Sequence, residues 1–60
     1  MKVLLVEDEQ QLGDYIKKGL TEAGFIVDHY MTGLDGYHAL LTEEFSVVLM
    51  DVMLPDVSGF

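Results

Sequence analysis

"KVLLVEDE", residues 2–9, decides the fold of this chain. Between Lys2 and Val6 the sequence is a short apolar run rich in branched side chains, which is typical of a strand buried on both faces of a parallel sheet. Three acidic residues, at positions 7–9, follow it directly. The segment therefore predicts a strand whose carboxyl end delivers carboxylates into a loop.

A helix and a second strand follow this loop. Apolar and small residues recur at helical spacing from about Gln10 to Ala23, namely at Leu12, Tyr15, Ile16, Gly19, Leu20 and Ala23. Gly24 stands where a left-handed residue would end the helix. "FIVDHY", residues 25–30, then alternates as a strand does, and Asp28 indicates that this strand lies at an edge of the sheet.

The rest of the chain adds a second helix and a third strand. "TGLD", residues 32–35, has an N-cap threonine with an acidic residue three positions later, and this pattern opens a helix that we expect to end near Thr42. Its apolar stripe is Leu34, Tyr37, His38 and Leu41. "SVVLM", residues 46–50, is a strand of the buried type, and Pro55 and Gly59 indicate a loop after it.

The element order β, α, β, α, β predicts one α/β domain over residues 1–60, built on a parallel sheet with crossover helices. The two strongly apolar strands and the half-polar one favour the spatial order 2-1-3. Because crossovers are right-handed, this order places the two helices on opposite faces of the sheet. It also opens a crevice between the carboxyl ends of strands one and three, where ligands bind in such sheets.

Composition excludes several classes of function. The net charge of −8, with three lysines and no arginine, repels phosphate backbones, so we expect no direct binding to nucleic acid. No apolar run approaches the roughly 18 residues of a membrane span, and acidic residues interrupt the start before a signal-peptide core could form. With no cysteine, the composition suits a reducing cytoplasm. Most of the remaining acids are interpreted as solvated surface.

Two acidic strand ends form the candidate site. Strand one delivers Glu7, Asp8 and Glu9, and strand three delivers Asp51. If the two strands are neighbours, Asp8 and Asp51 come close together and require a cation, for which Mg²⁺ is well suited. A carboxylate there could attack a phosphoryl group and form an acyl phosphate. The alternative is that acids end these strands only because loops are solvated.

Four segments together resemble the first half of a CheY-like receiver domain from a two-component response regulator. They are "VLLVEDE" at 3–9, "GF.VD" at 24–28, "TGLDGYHAL" at 32–40 and "VVLMDVMLPDVSGF" at 47–60. The resemblance implies half of a flavodoxin-like doubly wound sheet. The motif "DVMLPDVSG", residues 51–59, is most similar to receivers of winged-helix transcription regulators.

The resemblance also implies the roles of individual residues. Asp51 would accept a phosphoryl group from a histidine kinase, and Asp8 would hold Mg²⁺ directly. Glu7 would bind the metal through water, and Met53 would offer its backbone carbonyl. A phosphatase or ATPase that uses an aspartyl phosphate is disfavoured, because Val, Met and Leu follow Asp51 in place of the usual polar motifs.

A complete receiver is longer than this chain, so we expect a truncated domain that lacks the switch hydroxyl and the lysine that pairs with the phosphoryl group. Lys2, Lys17 and Lys18 lie in the wrong elements to replace that lysine. Such a fragment is not expected to be signalling-competent. The alternative function is a structural module that self-associates, as a homodimer or larger, through an exposed edge of strand three.

The remaining candidate residues are interpreted as structural. His38 is placed on the apolar stripe of the second helix and His29 on the half-polar strand, and neither is expected near the carboxyl ends of the strands. The methionines are interpreted as packing residues and the tyrosines as residues at the margin of the core.

Overall fold

The structure, a computed structural model, describes residues 1–50 and contains all five predicted elements. In chain order they are β1 (Lys2–Val6), α1 (Gln10–Glu22), β2 (Ile26–Tyr30), α2 (Gly33–Thr42) and β3 (Val47–Met50). The bounds of β1 are those predicted, and the other elements begin or end within a residue of their predicted limits. The loop predicted at Pro55 and Gly59 lies outside the described residues.

The three strands form a parallel sheet in the order β2-β1-β3, which confirms the predicted order. On one side β1 pairs with β2 over its whole length, from Lys2 opposite Ile26 to Val6 opposite Tyr30. On the other side it pairs with β3, and Val6 lies opposite Met50. The carboxyl ends of β1 and β3 are therefore level with each other.

Alternate residues of β1 belong to two separate cores on the two faces of the sheet. Val3 and Leu5 pack with Val27 and with side chains of α1, whereas Leu4 and Val6 pack with Ala39 of α2. Each of these four strand residues is at most 3% exposed. The helices thus lie on opposite faces, as predicted.

Local hydrogen bonds explain where the helices end and begin. Gly24 has φ of +98°, so it is the left-handed residue expected after α1. The backbone N–H of Phe25 donates to the Leu20 carbonyl at 3.0 Å and closes that end. At the start of α2, the Asp35 N–H donates to Thr32 Oγ1 at 3.1 Å, and this confirms the predicted N-cap.

The buried face of α1 differs from the predicted stripe. Ile16 and Leu20 pack on the sheet as expected, but the Tyr15 side chain is 78% exposed. Gly13, which the predicted stripe omitted, is the buried residue of this helix. Apolar character alone identified only part of the contact face, because a residue without a side chain carries no such signal.

The predicted stripe of α2 is wrong. The buried residues of this helix are Gly33, Gly36 and Ala39. The four residues expected to face the core, Leu34, Tyr37, His38 and Leu41, are all exposed. The reason is close packing: a Cβ at Gly36 would lie 2.6 Å from Val6 Cγ2, so the helix approaches β1 through its smallest residues.

The side chains of β3 are less buried than their apolar pattern predicted, whereas the position of β3 at an edge of the described sheet agrees with the expected exposed edge. Val47, Val48 and Leu49 are 39%, 42% and 38% exposed, although their pattern suggested a strand buried on both faces. Within residues 1–50, β3 is an edge of the sheet with β1 on one side only. Half of its backbone hydrogen-bonding capacity and much of its apolar surface therefore face outward.

Lys2 ties together the amino-terminal edge of the sheet. Its Nζ is 3.5 Å from Asp28 Oδ2, donates a hydrogen bond to Glu43 Oε1, and lies 5.0 Å from the centre of the Phe45 ring. The hydrogen bond that Lys2 donates to Glu43 is the largest cause of a raised Lys2 pKa; desolvation opposes it, and the negative charges of Glu43 and Asp28 add to it. This cluster joins β1, β2 and the segment before β3.

Candidate functional site

The acidic loop, defined here as residues 7–9, connects β1 to α1 at the carboxyl edge of the sheet. The Glu7 N–H donates to the Tyr30 carbonyl at 3.0 Å and so continues the pairing of β1 with β2 by one residue. Glu7 is only 5% exposed, whereas Asp8 and Glu9 are exposed. The loop thus begins with a buried carboxylate and then turns toward solvent.

The side chain of Glu7 folds back onto its own loop. Its Oε1 accepts a hydrogen bond from the Glu9 N–H at 3.1 Å. A buried carboxylate is costly unless it is hydrogen-bonded, so this contact helps to offset the loss of solvent. At the far end of the loop, the Gly13 N–H donates to the Glu9 carbonyl at 2.9 Å and begins α1. The loop backbone is therefore fixed at both ends.

The carboxyl end of β3 reaches the same edge. Met50 lies opposite Val6, so the chain leaves β3 beside the point where the acidic loop begins. A cleft of about 640 Å³ is open along this edge, lined by Leu5, Val6, Glu7, Leu12, Ile16, Val48, Leu49 and Met50. Asp51 and Met53 lie outside the described residues, so the predicted proximity of Asp8 to Asp51 stays a prediction.

The described part of the site has the donor chemistry that Mg²⁺ requires. This ion takes hard oxygen ligands and is usually held by one or two carboxylates, with water completing its coordination. Asp8 offers an exposed carboxylate, and Glu7 a partly hydrogen-bonded one. Residues 1–50 contain no group of three His, Cys, Asp or Glu side chains that could hold a metal ion. A third protein ligand would therefore have to come from residues beyond Met50. The residues present fit the ion.

None of the lysines lies in the acidic loop or at the end of β3. Lys2 is at the opposite edge of the sheet, in the cluster with Asp28 and Glu43. Lys17 and Lys18 are exposed residues of α1. The three lysines thus lie on β1 and α1, the elements in which the sequence placed them.

The histidines were interpreted as packing or surface residues, but the predicted place of each is wrong. His38 is exposed on α2 and not on a stripe that faces the core, which leaves it a surface residue, and its ring lies 6.1 Å from that of Tyr37. His29 lies opposite Leu5 near the carboxyl end of β2, and its Nε2 is 2.8 Å from the Glu7 carbonyl oxygen. Alternation along β2 could have indicated this, since His29 shares a face with the buried Val27.

No helix within the described part of the chain is both long and apolar enough to cross a membrane.

The sheet order and the acidic loop together define a class: a doubly wound α/β protein with its candidate site where the strand order reverses, at the carboxyl ends of β1 and β3. Residues 3–60 match the family described as the response regulator receiver domain. The chain belongs to this family, which confirms the resemblance seen in its motifs.

Curated relatives agree with this assignment. The chain is 57% identical to the probable transcriptional regulatory protein SilR of Salmonella typhimurium. It is 53% identical to the transcriptional regulatory protein CusR of Escherichia coli K12 and 50% identical to the transcriptional activator protein IrlR of Burkholderia pseudomallei 1026b. Each match covers all 60 residues of this chain and 26% of the relative.

These matches bear on the predicted function. The relatives are named as regulators of transcription, which supports the predicted link to that process. They give no support to the alternative interpretation of the chain as a self-associating structural module. The chain spans about a quarter of the length of these relatives, 26% in each case.

Proposed function

We propose that this chain carries the acidic part of a receiver that accepts a phosphoryl group from a histidine kinase on Asp51 and thereby controls transcription. The observation that carries the proposal is the pairing of Val6 with Met50. It brings the start of the acidic loop level with the residue that precedes Asp51 in sequence. Membership of the receiver family supplies the reaction.

In this proposal each acidic residue has a separate chemical role. The Asp51 carboxylate attacks phosphorus, and an acyl phosphate bond forms as the bond from phosphorus to the donor breaks. Asp8 and Asp51 hold Mg²⁺ directly, Met53 contributes its backbone carbonyl, and Glu7 acts through water. When bound, the ion offsets negative charge on the transferring oxygens. The exposure of Asp8 and the burial of Glu7 support a direct role for the first and an indirect role for the second.

The proposed partners follow from the same family membership. The phosphoryl donor is a histidine kinase, and the protein acts in the cytoplasm, where transcription takes place. The net charge of −8 argues that DNA contact would be made by other parts of such a regulator. For the 60-residue chain tested alone, we expect weak Mg²⁺ binding and little stable phosphorylation, because no lysine within residues 1–50 lies in the loop or strand ends that form the site.

The cation is tested by titrating Mg²⁺ into the full chain and into Asp8→Asn. We expect weak binding by the unaltered chain and a further loss of at least about tenfold in the variant, because a direct carboxylate ligand is removed. Glu22→Gln, the same chemical change on an exposed residue at the far end of α1, is the matched control and should bind as the unaltered chain does. Equal affinities for all three proteins would contradict the proposed metal site.

Phosphorylation is tested by incubating the chain with acetyl phosphate and Mg²⁺, quenching the reaction rapidly, and measuring the intact mass. A small, short-lived fraction should gain one phosphoryl group, and Asp51→Asn should gain none. An adduct that persists in Asp51→Asn would refute Asp51 as the acceptor. A long-lived adduct that requires Asp51 would support the acceptor but show that a neighbouring lysine matters less than expected.

A further inference from the structure

His29 makes a contact that neither the motif nor the family assignment accounts for. It lies on β2 on the same side of the sheet as Val27, the side that α1 covers. Its Nε2 is 2.8 Å from the carbonyl oxygen of Glu7, the first residue of the acidic loop. A carbonyl oxygen can only accept, so Nε2 must carry the proton and donate it.

The first turn of α1 is shaped to accept this imidazole. Gly13 is buried, and a Cβ at that position would overlap His29 Cε1 and lie 2.5 Å from Nε2. Side-chain atoms do not approach so closely, so any larger residue at position 13 would displace the ring. The ring thus fills a space that exists only because residue 13 has no side chain.

Together these contacts fix Glu7 from three directions. Its N–H donates to the Tyr30 carbonyl, its own carbonyl accepts from His29, and its Oε1 accepts from the Glu9 N–H, at 3.0, 2.8 and 3.1 Å. Two of these partners belong to β2, and only the third belongs to the loop itself. Among the hydrogen bonds of residues 1–50, the bond from His29 is the one that a β2 side chain makes to Glu7.

We propose that His29 is a positioning residue of the cation site: seated against Gly13, it holds the Glu7 carbonyl and thereby sets where the Glu7 and Asp8 carboxylates point. This inference rests on the proposed function for the identity of the bound ion. Removing the donor leaves the Glu7 carbonyl beside a side chain that cannot bond it, so the loop loses one of its anchors. A ligand whose orientation is no longer fixed binds its metal more weakly.

The test compares His29→Leu, which fills the space but cannot donate, with His29→Gln, whose amide N–H₂ can donate from a similar reach. Two quantities are measured on the full chain: the affinity for Mg²⁺ and the hydrogen-exchange rate of the Glu9 amide by NMR. We expect His29→Leu to weaken Mg²⁺ binding and accelerate exchange at Glu9 by about fivefold each, as for the loss of one hydrogen bond. His29→Gln should recover most of both.

Val27→Ala is the matched control for a merely structural role. Val27 is buried on the same strand and the same face, two residues earlier. Its truncation should lower the free energy of unfolding but leave the Mg²⁺ affinity of the folded protein unchanged. If Val27→Ala weakens Mg²⁺ binding as much as His29→Leu does, the histidine has no special role and the proposal is overturned.

A double-mutant cycle tests the space provided by Gly13. Gly13→Ala should weaken Mg²⁺ binding about as much as His29→Leu, because it displaces the ring. In a His29→Ala background the same change should have little further effect, since no ring remains to be displaced. Additive effects of the two substitutions would contradict the proposed coupling.

The outcomes separate this inference from the proposed function. If Asp8→Asn weakens Mg²⁺ binding but His29→Leu changes neither affinity nor exchange, the proposed function stands and the positioning role fails. If exchange accelerates while affinity is unchanged, His29 orders the loop but does not serve the site, and the inference is again overturned. If the unaltered chain binds no Mg²⁺, the metal site fails and the positioning role fails with it, whatever exchange at Glu9 shows.

Discussion

Glu7 and Asp8 are neighbours in the chain but meet solvent very differently. The alternation of β1 continues through Glu7, which shares a face with Val3 and Leu5 and is buried as they are. Asp8 falls beyond the last hydrogen bond to β2 and is exposed. One additional residue of strand pairing thus gives two adjacent carboxylates opposite exposure to solvent.

At the same scale, Lys2 gives a pH-dependent contribution to stability. Its pKa is raised above the ordinary value of 10.5, so its ion pairs stabilise the folded chain fully below pH 10.5 and lose that effect as the pH rises through the higher folded pKa. We expect Lys2→Met to lower the free energy of unfolding at pH 7, by a small amount because the side chain is 32% exposed. Urea unfolding from pH 7 to 11 should show the difference from the unaltered chain becoming smaller toward the alkaline end.

Lys17→Met is the control for this prediction. Lys17 is exposed on α1 and has no ion pair with any residue between positions 1 and 50. Its substitution should change stability little at any of these pH values. A Lys2→Met difference that persists unchanged at pH 11, or that is insensitive to 0.5 M salt, would contradict an electrostatic origin.

Sequence reasoning at the level of single residues succeeded where chemistry follows directly from strand position. The location of Asp8 follows from its position just after the end of β1, and that of Lys2 from its position at the start of the same strand. It failed for His29, because that role depends on Gly13, which is 16 positions away in sequence and has no side chain to suggest a contact. The space for the imidazole exists only once α1 has been laid across the sheet.

At the scale of elements, alanine substitutions of two helical glycines are expected to change stability in opposite directions. Gly19 of α1 has nothing within 4 Å of an added Cβ, whereas at Gly36 of α2 the added atom would lie 2.6 Å from Val6 Cγ2. Gly19→Ala should therefore stabilise the chain by about 0.5–1 kcal/mol through helix propensity alone. Gly36→Ala should destabilise it by about 1–3 kcal/mol, because Val6 is fully buried and has no room to move.

Each glycine variant is the control for the other, since the chemical change and the helical setting are the same. Urea denaturation should give midpoints that shift in opposite directions with an unchanged slope. Two stabilising substitutions would show that α2 can move away from β1 without cost. That result would contradict the close packing described here.

The glycines also explain which part of each element could be predicted. Periodicity and capping residues gave the bounds of α1 and α2 to within a residue, because caps and turns are local signals. The face of α2 that meets the sheet was predicted wrongly, because hydrophobicity favoured Leu34 and Tyr37 over Gly36. Close approach of backbones, and not side-chain character, determines that face.

At the scale of the whole molecule, much apolar surface is exposed on the α2 face and along β3. Leu34 and Leu41 are 59% and 66% exposed on α2, and Val48 is 42% exposed on β3. Such surface, next to an edge of β3 that no strand within residues 1–50 pairs, favours association. Self-association of the 60-residue chain stays a prediction: we expect a homodimer or larger species by analytical ultracentrifugation at micromolar concentration. A monomeric mass with folded circular dichroism would contradict it.

The order of the strands was the feature of the whole molecule most accessible from sequence. A half-polar β2 and a strongly apolar β1 were enough to place β1 in the centre, and the right-handed crossover rule then fixed the sides of both helices. The incomplete burial of the β3 side chains does not follow from their own apolar character, although an exposed edge of this strand was expected. It depends on what lies beside Val47–Met50, and within residues 1–50 that is β1 alone.

The cluster around Lys2 and the acidic loop lie at opposite ends of the same strand. Glu7 lies five positions after Lys2 in extended chain, a span of about 16 Å. Substitutions that far apart, with no shared partner, contribute independently to the free energy. The amino edge can therefore be strengthened by engineering without altering the proposed cation site, and substitutions at the carboxyl edge can be measured in a chain stabilised from the other end.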